Sequence, residues 1–225
     1  MNDHVAIDGP TSSGKTTISK ALAASTGRLY LDTGAMYRAT AYLALQNGVD
    51  LDNERGLVAM LARHSIALVN DPATVAGYRV HVDGRDTGTR MFDPDVAAAV
   101  SSVAALALVR AEMVERQRAI AREGPVVMAG RDIGTVVLPD ARFKFFLTAS
   151  VDERARRRFE EFRERGIDTT LTEVRDQLVQ RDRIDTNRDV APLRTAADAV
   201  IIDSTDLAAE AVVERIRLLI EGARR

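Results

Sequence analysis

Apolar residues along the chain fall into short unbroken runs, separated by stretches in which they recur at every third or fourth position. Val5-Ala6-Ile7 is the first run and ends at a glycine-rich loop. From Lys15 the period becomes helical, with Ile18, Ala21, Leu22 and Ser25 on one face, and Gly27 stops it. Leu29-Tyr30-Leu31 predicts a second strand, and a second helix follows over about 35–46, closed by Asn47-Gly48. Val126-Val127-Met128-Ala129, Phe143-Lys144-Phe145-Phe146-Leu147 and Ala199-Val200-Ile201-Ile202 repeat the first pattern, as expected of strands covered on both faces. Ser150 with Glu153, and Thr170 with Glu173, fit capping boxes that open helices, and a last helix covers about 207–222. Strands alternating with helices predict a doubly wound α/β sheet.

The middle of the chain has a different texture. Ser65-Ile66-Ala67-Leu68-Val69 and Tyr78-Arg79-Val80-His81-Val82 read as strands; the second alternates and runs into the hairpin signal Asp83-Gly84. Two helices are expected next, over about 94–108 and 109–122, the first rich in Ala and Val. This predicts an antiparallel insertion near 62–100. No repeat or low-complexity linker interrupts the pattern. Met1-Asn2-Asp3-His4 carries no basic region, the apolar run after it breaks at Asp8, Gly9 and Pro10, and no stretch approaches 18 apolar residues. The expectation is a cytosolic protein with no membrane partner.

Composition narrows the chemistry. The chain has 225 residues, 46% apolar and 28% charged, enough for a large core without staples. With no cysteine, disulfides, thiolate metal sites and cysteine nucleophiles are excluded, and three histidines (His4, His64, His81) are too scattered to suggest a metal site. A net charge of -2 argues against a duplex nucleic-acid binder. Within that balance, 28 of the 31 basic residues are Arg and only Lys15, Lys20 and Lys144 are Lys. A GC-rich genome explains this blandly; a site that grips phosphates bidentately explains it functionally.

Gly9-Pro10-Thr11-Ser12-Ser13-Gly14-Lys15-Thr16 fits G-x-x-x-x-G-K-[ST] between a predicted strand and a predicted helix. Such a loop wraps an anion with inward backbone N–H groups at a helix N-terminus. Lys15 would reach the β- and γ-phosphates of a nucleoside triphosphate, and the Thr16 hydroxyl is placed to ligate Mg²⁺. Asp32-Thr33-Gly34-Ala35-Met36-Tyr37-Arg38 follows the second strand; Thr33 reads equally well as a helix cap and Arg38 as a surface cation. Gly130-Arg131-Asp132-Ile133-Gly134-Thr135 follows a core strand, where open α/β sheets hold their ligands; the plainer reading of Asp132 is a cap or an ion pair with Arg131. Arg154, Arg156, Arg157 and Arg158 stand beside Asp152, Glu153, Glu160 and Glu161, and alone they read as a solvated charged face.

Taken together these motifs resemble the bacterial cytidylate kinases, a family of nucleoside monophosphate kinases. Ile7-Asp8-Gly9-Pro10 opens the loop. Leu31 to Arg38 resembles L-D-[ST]-G-A-x-Y-R, Gly130 to Val137 resembles G-R-D-x-G-T-V-V, and Arg181-Asp182 with Asp185-x-x-Arg188 and Val190-Ala191-Pro192-Leu193 completes the set. The resemblance implies a P-loop three-layer α/β/α fold with a five-stranded parallel sheet, an inserted monophosphate-binding domain with a small antiparallel sheet, and a helical lid. It implies a core of 1–32, 102–150 and 182–225, a monophosphate-binding domain of 33–101, and a lid of 151–181. It also implies transfer of the γ-phosphate of ATP, with Mg²⁺, to CMP or dCMP by a monomer. Gly9 to Thr17 would hold ATP. Thr33 with Arg38, Arg131 and Arg188 would hold the acceptor phosphate. Ser101, Arg110 and Asp132 would read the cytosine edge, Arg181 and Asp185 would meet the sugar, and Arg157 would act from the lid. Lys15, Arg131, Arg188 and Arg157 are the implied catalytic residues. Thr11-Ser12-Ser13 departs from the commoner S-G-A, which implies altered loop stiffness, and Thr33 stands for the commoner Ser. A kinase of the same fold with another acceptor remains the main alternative. A GTPase-type switch would need N-K-x-D, which the sequence lacks.

Overall fold

A computed structural model describes residues 3–71, 73, 74 and 76–223. Residues 72 and 75 of the expected insertion, and the first two and last two residues of the chain, lie outside the described residues. The apolar runs become strands β1 (Val5–Asp8), β2 (Leu29–Asp32), β6 (Val126–Gly130), β7 (Phe143–Thr148) and β8 (Val200–Asp203), which form one parallel sheet in the order β2-β6-β1-β7-β8. Between β2 and β6 a second, antiparallel sheet contains β3 (Ile66–Asn70), β4 (Tyr78–Val82) and β5 (Arg85–Asp86). Helices flank the parallel sheet on both sides, as a doubly wound sheet requires.

The chain divides into two units: residues up to Arg28 together with Pro125 onward, and Leu29–Gly124. In the first, β1 lies between β6 and β7 in parallel register, Val5 opposite Val127 on one side and Phe143 on the other. Val5, Ala6, Ile7, Val126, Val127 and Met128 have no exposed surface, the result of covering both faces of a central strand. Helix α1 (Lys15–Thr26) packs on β6 and on α8 (Ala209–Gly222); α6 (Val151–Glu164) packs on α7 (Leu171–Asn187). β8 differs from expectation: Val200 and Ile201 are exposed and only Ile202 is buried. The strand is at the edge of the sheet, so its unbroken apolar run is not matched by cover on both faces.

In the second unit, α2 (Thr33–Asn47) packs on α4 (Pro94–Ala105), and α3 (Glu54–Leu61) packs on α5 (Ala107–Arg122). α3 was not among the predicted elements; Asn53 opens it, its side-chain oxygen accepting from Gly56 N at 2.9 Å. The antiparallel strands end at Asp86, and a short 3₁₀ turn (Gly88–Phe92) leads into α4. α4 and α5 meet at 94° across Leu106 rather than dividing at 108–109. Arg110 explains the break: its Nη1 donates to the carbonyl of Ala104 at 3.0 Å, satisfying an acceptor that the end of α4 leaves over. Thr170 and Glu173 form the expected reciprocal capping box at α7. At α6 only half of one forms: Ser150 accepts from Glu153 N, but the Glu153 carboxylate turns to Arg156 and Arg157, each at 2.7 Å. A charge-assisted bond to either guanidinium outweighs a bond to a neutral amide. Among the described residues no single helix is long and apolar enough to cross a membrane.

Candidate active site

The loop between β1 and α1 is shaped by three residues in the left-handed region: Gly9 at φ 152°, Ser12 at φ 60° and Gly14 at φ 87°. A Cβ on Gly9 would stand 2.0 Å from the carbonyl oxygen of Leu147, so β7 admits no side chain there. Lys15 is buried against the loop, its Nζ donating to Pro10 O at 2.6 Å and lying 3.4 Å from Ser13 Oγ. Thr16 and Thr17 are exposed on the first turn of α1, with the helix N-terminus beside them. Pro10 is buried under the loop, and Thr11 supplies two contacts to arginines from elsewhere in the chain.

Arg131, just past β6, links two of the sequence-selected positions. Its Nε donates to Asp185 Oδ2 and its Nη2 to Thr11 Oγ1, each at 2.7 Å. Asp132 heads a single π-helical turn (Ile133–Val137), with its carbonyl accepting from Val136 N and Val137 N. Turns of this kind recur at functional sites. The Asp132 carboxylate is buried 3.8 Å from Arg188 Nη2, so its nearest cation among these is Arg188 rather than the adjacent Arg131. Arg188 caps α7 and donates from Nε to Ala191 O at 2.6 Å. Arg181, Asp185 and Arg188 stand four and three residues apart, which puts them on one face of α7.

The arginine run on α6 separates by burial. Arg156 pairs with Glu153 and Glu160, and Arg158 pairs with Glu161 while lying 4.4 Å over the Phe162 ring; these are the solvated charged face. Bonds from Arg156 and Arg157 hold the Glu153 carboxyl down to about 2. Arg157 bonds Glu153 and both Ser204 O and Ser204 Oγ, and its Nη1 would be 3.9 Å from a Cβ on Gly14, beside the phosphate loop. Arg154, unremarked within the run, is buried: it bonds Asp182 at 2.7 Å, Ala149 O and Thr11 O.

In the second unit, Asp32 is the cap residue of α2 without capping it, and Thr33 is its first helical residue, buried. The Asp32 carboxylate turns instead to Tyr78 of β4, which donates to it at 2.9 Å, and to Arg38 Nη2 at 3.4 Å. The Arg38 guanidinium stands 5.6 Å from the Phe92 ring centroid, and its buried Nε has no hydrogen-bond partner among the described residues. Arg110 lies 5.5 Å over the Tyr37 ring, and Ser101 is half-buried on α4, one turn before the Ala104 carbonyl that Arg110 binds.

The sequence profile of the cytidylate kinase family matches residues 5–222. The chain belongs to the cytidylate kinase family. It is 49% identical to a cytidylate kinase of Enterococcus faecalis over 96% of this chain and 95% of that one. It is 51% identical to a cytidylate kinase of Geobacillus thermodenitrificans over 94% and 93%, and 48% identical to one of Pelotomaculum thermopropionicum over 99% and 97%. Membership in this family covers nearly the whole chain, including both units.

For a cytidylate kinase family member, two residues stand out whose contacts the sequence did not disclose. Tyr78 was visible only as one of the inward positions of an alternating strand, which says nothing of its hydroxyl. Asp8 offered a signal, an acid closing a fully apolar strand. Its carboxylate is buried and accepts from Ile133 N and Gly134 N, both at 2.7 Å, which ties the phosphate loop's strand to the π-helical turn after Asp132. Burial, followed by the nearby Asp132 charge, raises this carboxyl to about 6 against the opposing effect of its two amide bonds and Lys15. The native state therefore binds more protons than the unfolded state between about pH 4 and 6, and Asp8's contribution to stability is lost as pH rises through that window. Denaturant unfolding of wild type and Asp8→Asn at pH 4.5 to 7 should show the wild-type advantage shrinking by about 2 kcal/mol toward pH 7. A difference that stays flat with pH would sink this assignment.

Proposed function

We propose that the chain transfers the γ-phosphate of ATP to CMP or dCMP, giving ADP and CDP or dCDP. The observation that carries this, beyond family membership, is the linked set Thr11–Arg131–Asp185 and Asp132–Arg188 built around a loop shaped for phosphate. Cations gather at that loop, Lys15 on Pro10 O and Arg131 and Arg154 on Thr11, which suits a reaction whose difficulty is charge. A phosphomonoester has a second pKa near ~6, so at neutral pH the acceptor arrives as its own nucleophile and needs no base. What it needs is neutralisation and alignment, because two polyanions must meet in line.

In this reading Gly9 to Thr17 cradle the donor phosphates through backbone N–H groups and the Lys15 ammonium. Arg38, Arg131 and Arg188 hold the acceptor phosphate, with Thr33 beside it, and Arg157 neutralises the donor from α6. The buried Nε of Arg38 favours this role, since a phosphate oxygen would satisfy it. Arg181 and Asp185 meet the sugar. Thr16 would hold Mg²⁺, which would supply positive charge to offset that of the donor phosphates. The donor set fits: one exposed hydroxyl, with no cluster of three acidic or histidine residues among the described residues, matches an ion that keeps its waters and is held through substrate phosphates. The reading also takes the enzyme as a cytosolic monomer without nucleic-acid or membrane partners.

Base choice follows from hydrogen-bond polarity. A carboxylate such as Asp132 accepts from the cytosine amino group, while a guanidinium such as Arg110, helped by Ser101, donates to O2 or N3. Uracil presents an oxygen where cytosine presents the amino group, and the unpaired contact costs about 1–3 kcal/mol, roughly tenfold to hundredfold in preference. Initial rates with ATP and a panel of CMP, dCMP, UMP and AMP test the function; AMP phosphorylated faster than CMP would refute the base assignment. Asp132→Ala should bring the CMP-to-UMP ratio of kcat/KM down by at least about tenfold, and an unchanged ratio would remove Asp132 from base reading.

A further inference from the structure

Tyr78 lies on the central strand of the antiparallel sheet, in the insertion, far in sequence from every motif that carries the family. Its ring is buried, 6.0 Å from Tyr30, and its hydroxyl meets two groups of another motif. It donates to Asp32 Oδ2 at 2.9 Å and accepts from Arg38 Nη2 at 3.3 Å. Arg38 and Asp32 themselves are 3.4 Å apart, long beside the usual 2.7–2.9 Å of a charge-assisted bond. The same carboxylate oxygen serves both partners, so the hydroxyl occupies acceptor capacity that a tight Asp32–Arg38 pair would otherwise use. Only Nη2 of the guanidinium is engaged in these bonds, and Nε, which shares an edge of the fork with Nη2, is buried without a hydrogen-bond partner among the described residues. The guanidinium carbon lies 5.6 Å over the centroid of the Phe92 ring, within cation–π range.

We propose that Tyr78 is a positioning residue for the acceptor phosphate: by sharing Asp32 with Arg38 it keeps the Arg38 fork from closing onto the carboxylate through Nε and Nη2 together, and so keeps Nε available for a phosphate oxygen. This rests on the reading of Arg38 as a phosphate ligand. It gives the insertion a direct part in acceptor binding through one hydroxyl on β4. Without that hydroxyl, Asp32 Oδ2 has one partner left, and the opposite charges draw together. The fork then spends its charge on Asp32, and a phosphate must compete for it.

Tyr78→Phe removes only the hydroxyl. With the monophosphate that wild type accepts fastest, its KM for that acceptor should rise about tenfold, while KM for ATP and the thermal midpoint stay near wild type. Combined with Arg38→Lys, which keeps a charge but loses the fork, the same change should add less than twofold, because the two residues act as one unit. A KM for the acceptor within twofold of wild type would overturn the proposal. So would equal rises in both KM values with a lowered midpoint, which is what a purely structural tyrosine produces, or a full tenfold effect persisting in the Arg38→Lys background. Choosing the acceptor from the panel keeps the outcomes separate: if CMP proves not to be preferred, the base assignment fails and Tyr78 is still tested on the phosphate.

Discussion

Arg188→Ala should lower turnover with ATP and CMP by about three orders of magnitude, the scale on which arginines act in phosphoryl transfer. The side chain is set by several local devices. Its residue ends α7, its Nε donates to Ala191 O, and Leu193 N returns to Asp185 O at 2.8 Å, folding the segment after the helix back on its last turn. Ala191 sits at φ 48°, a conformation a non-glycine residue adopts at a cost of the order of 1–3 kcal/mol. That strain aims its carbonyl at Arg188. The guanidinium is buried beside Asp132, where its charge is less screened than in water. Removing it leaves the Ala191 carbonyl without this donor, a loss of a few degrees in the thermal midpoint rather than of the fold. Arg188→Lys should recover part of the rate, since it restores the charge without the fork. Single-turnover rates with saturating substrates would measure this, and near-normal turnover in Arg188→Ala would take the residue out of the site.

Gly9→Ala should cost the protein both its phosphate loop and much of its stability. The added Cβ would lie 2.0 Å from Leu147 O and 3.0 Å from Leu147 C, backbone atoms of a central strand that cannot step aside. The φ of 152° adds strain of its own. A loss of about 3 kcal/mol or more is expected, lowering the thermal midpoint by roughly 6–12 °C for a chain of this size. ATP binding, followed by calorimetry, should be lost even well below that midpoint, because relief of the clash must move the loop away from β7. Gly124→Ala is the matched control: a Cβ there meets nothing within 4 Å, and both properties should stay near wild type. A Gly9→Ala protein that melts and binds ATP normally would mean that the loop can be displaced from Leu147 without consequence.

Much of the fold was legible because it depends on local period. The five apolar runs became the five parallel strands, and Gly27 and Gly48 close α1 and α2 where the sequence placed their ends. The exposed side of β8 was not legible: an apolar run cannot say whether its strand is central or at an edge. The break at Leu106 was misplaced because it depends on Arg110 reaching Ala104, a contact between two helices. Site residues behaved in the same way. Gly9 to Thr17 were recognisable because their spacing is the geometry of one loop. The arginines on α6 were indistinguishable in sequence, yet Arg154 is buried against Asp182 while Arg156 and Arg158 pair at the surface.

The sequence alone determined the phosphate loop, the alternating architecture and the motifs that place the chain among the cytidylate kinases. These are properties of neighbours along the chain, where period, turn chemistry and spacing decide. Tertiary structure alone decided which charges meet: Asp8 with the amides of Ile133 and Gly134, Arg131 with Thr11 and Asp185, and Tyr78 with Asp32 and Arg38. Those partners lie 40 to 126 positions apart. A carboxylate or hydroxyl carries no sequence mark of its distant partner, and only the packing of strands and helices brings the two within hydrogen-bond reach.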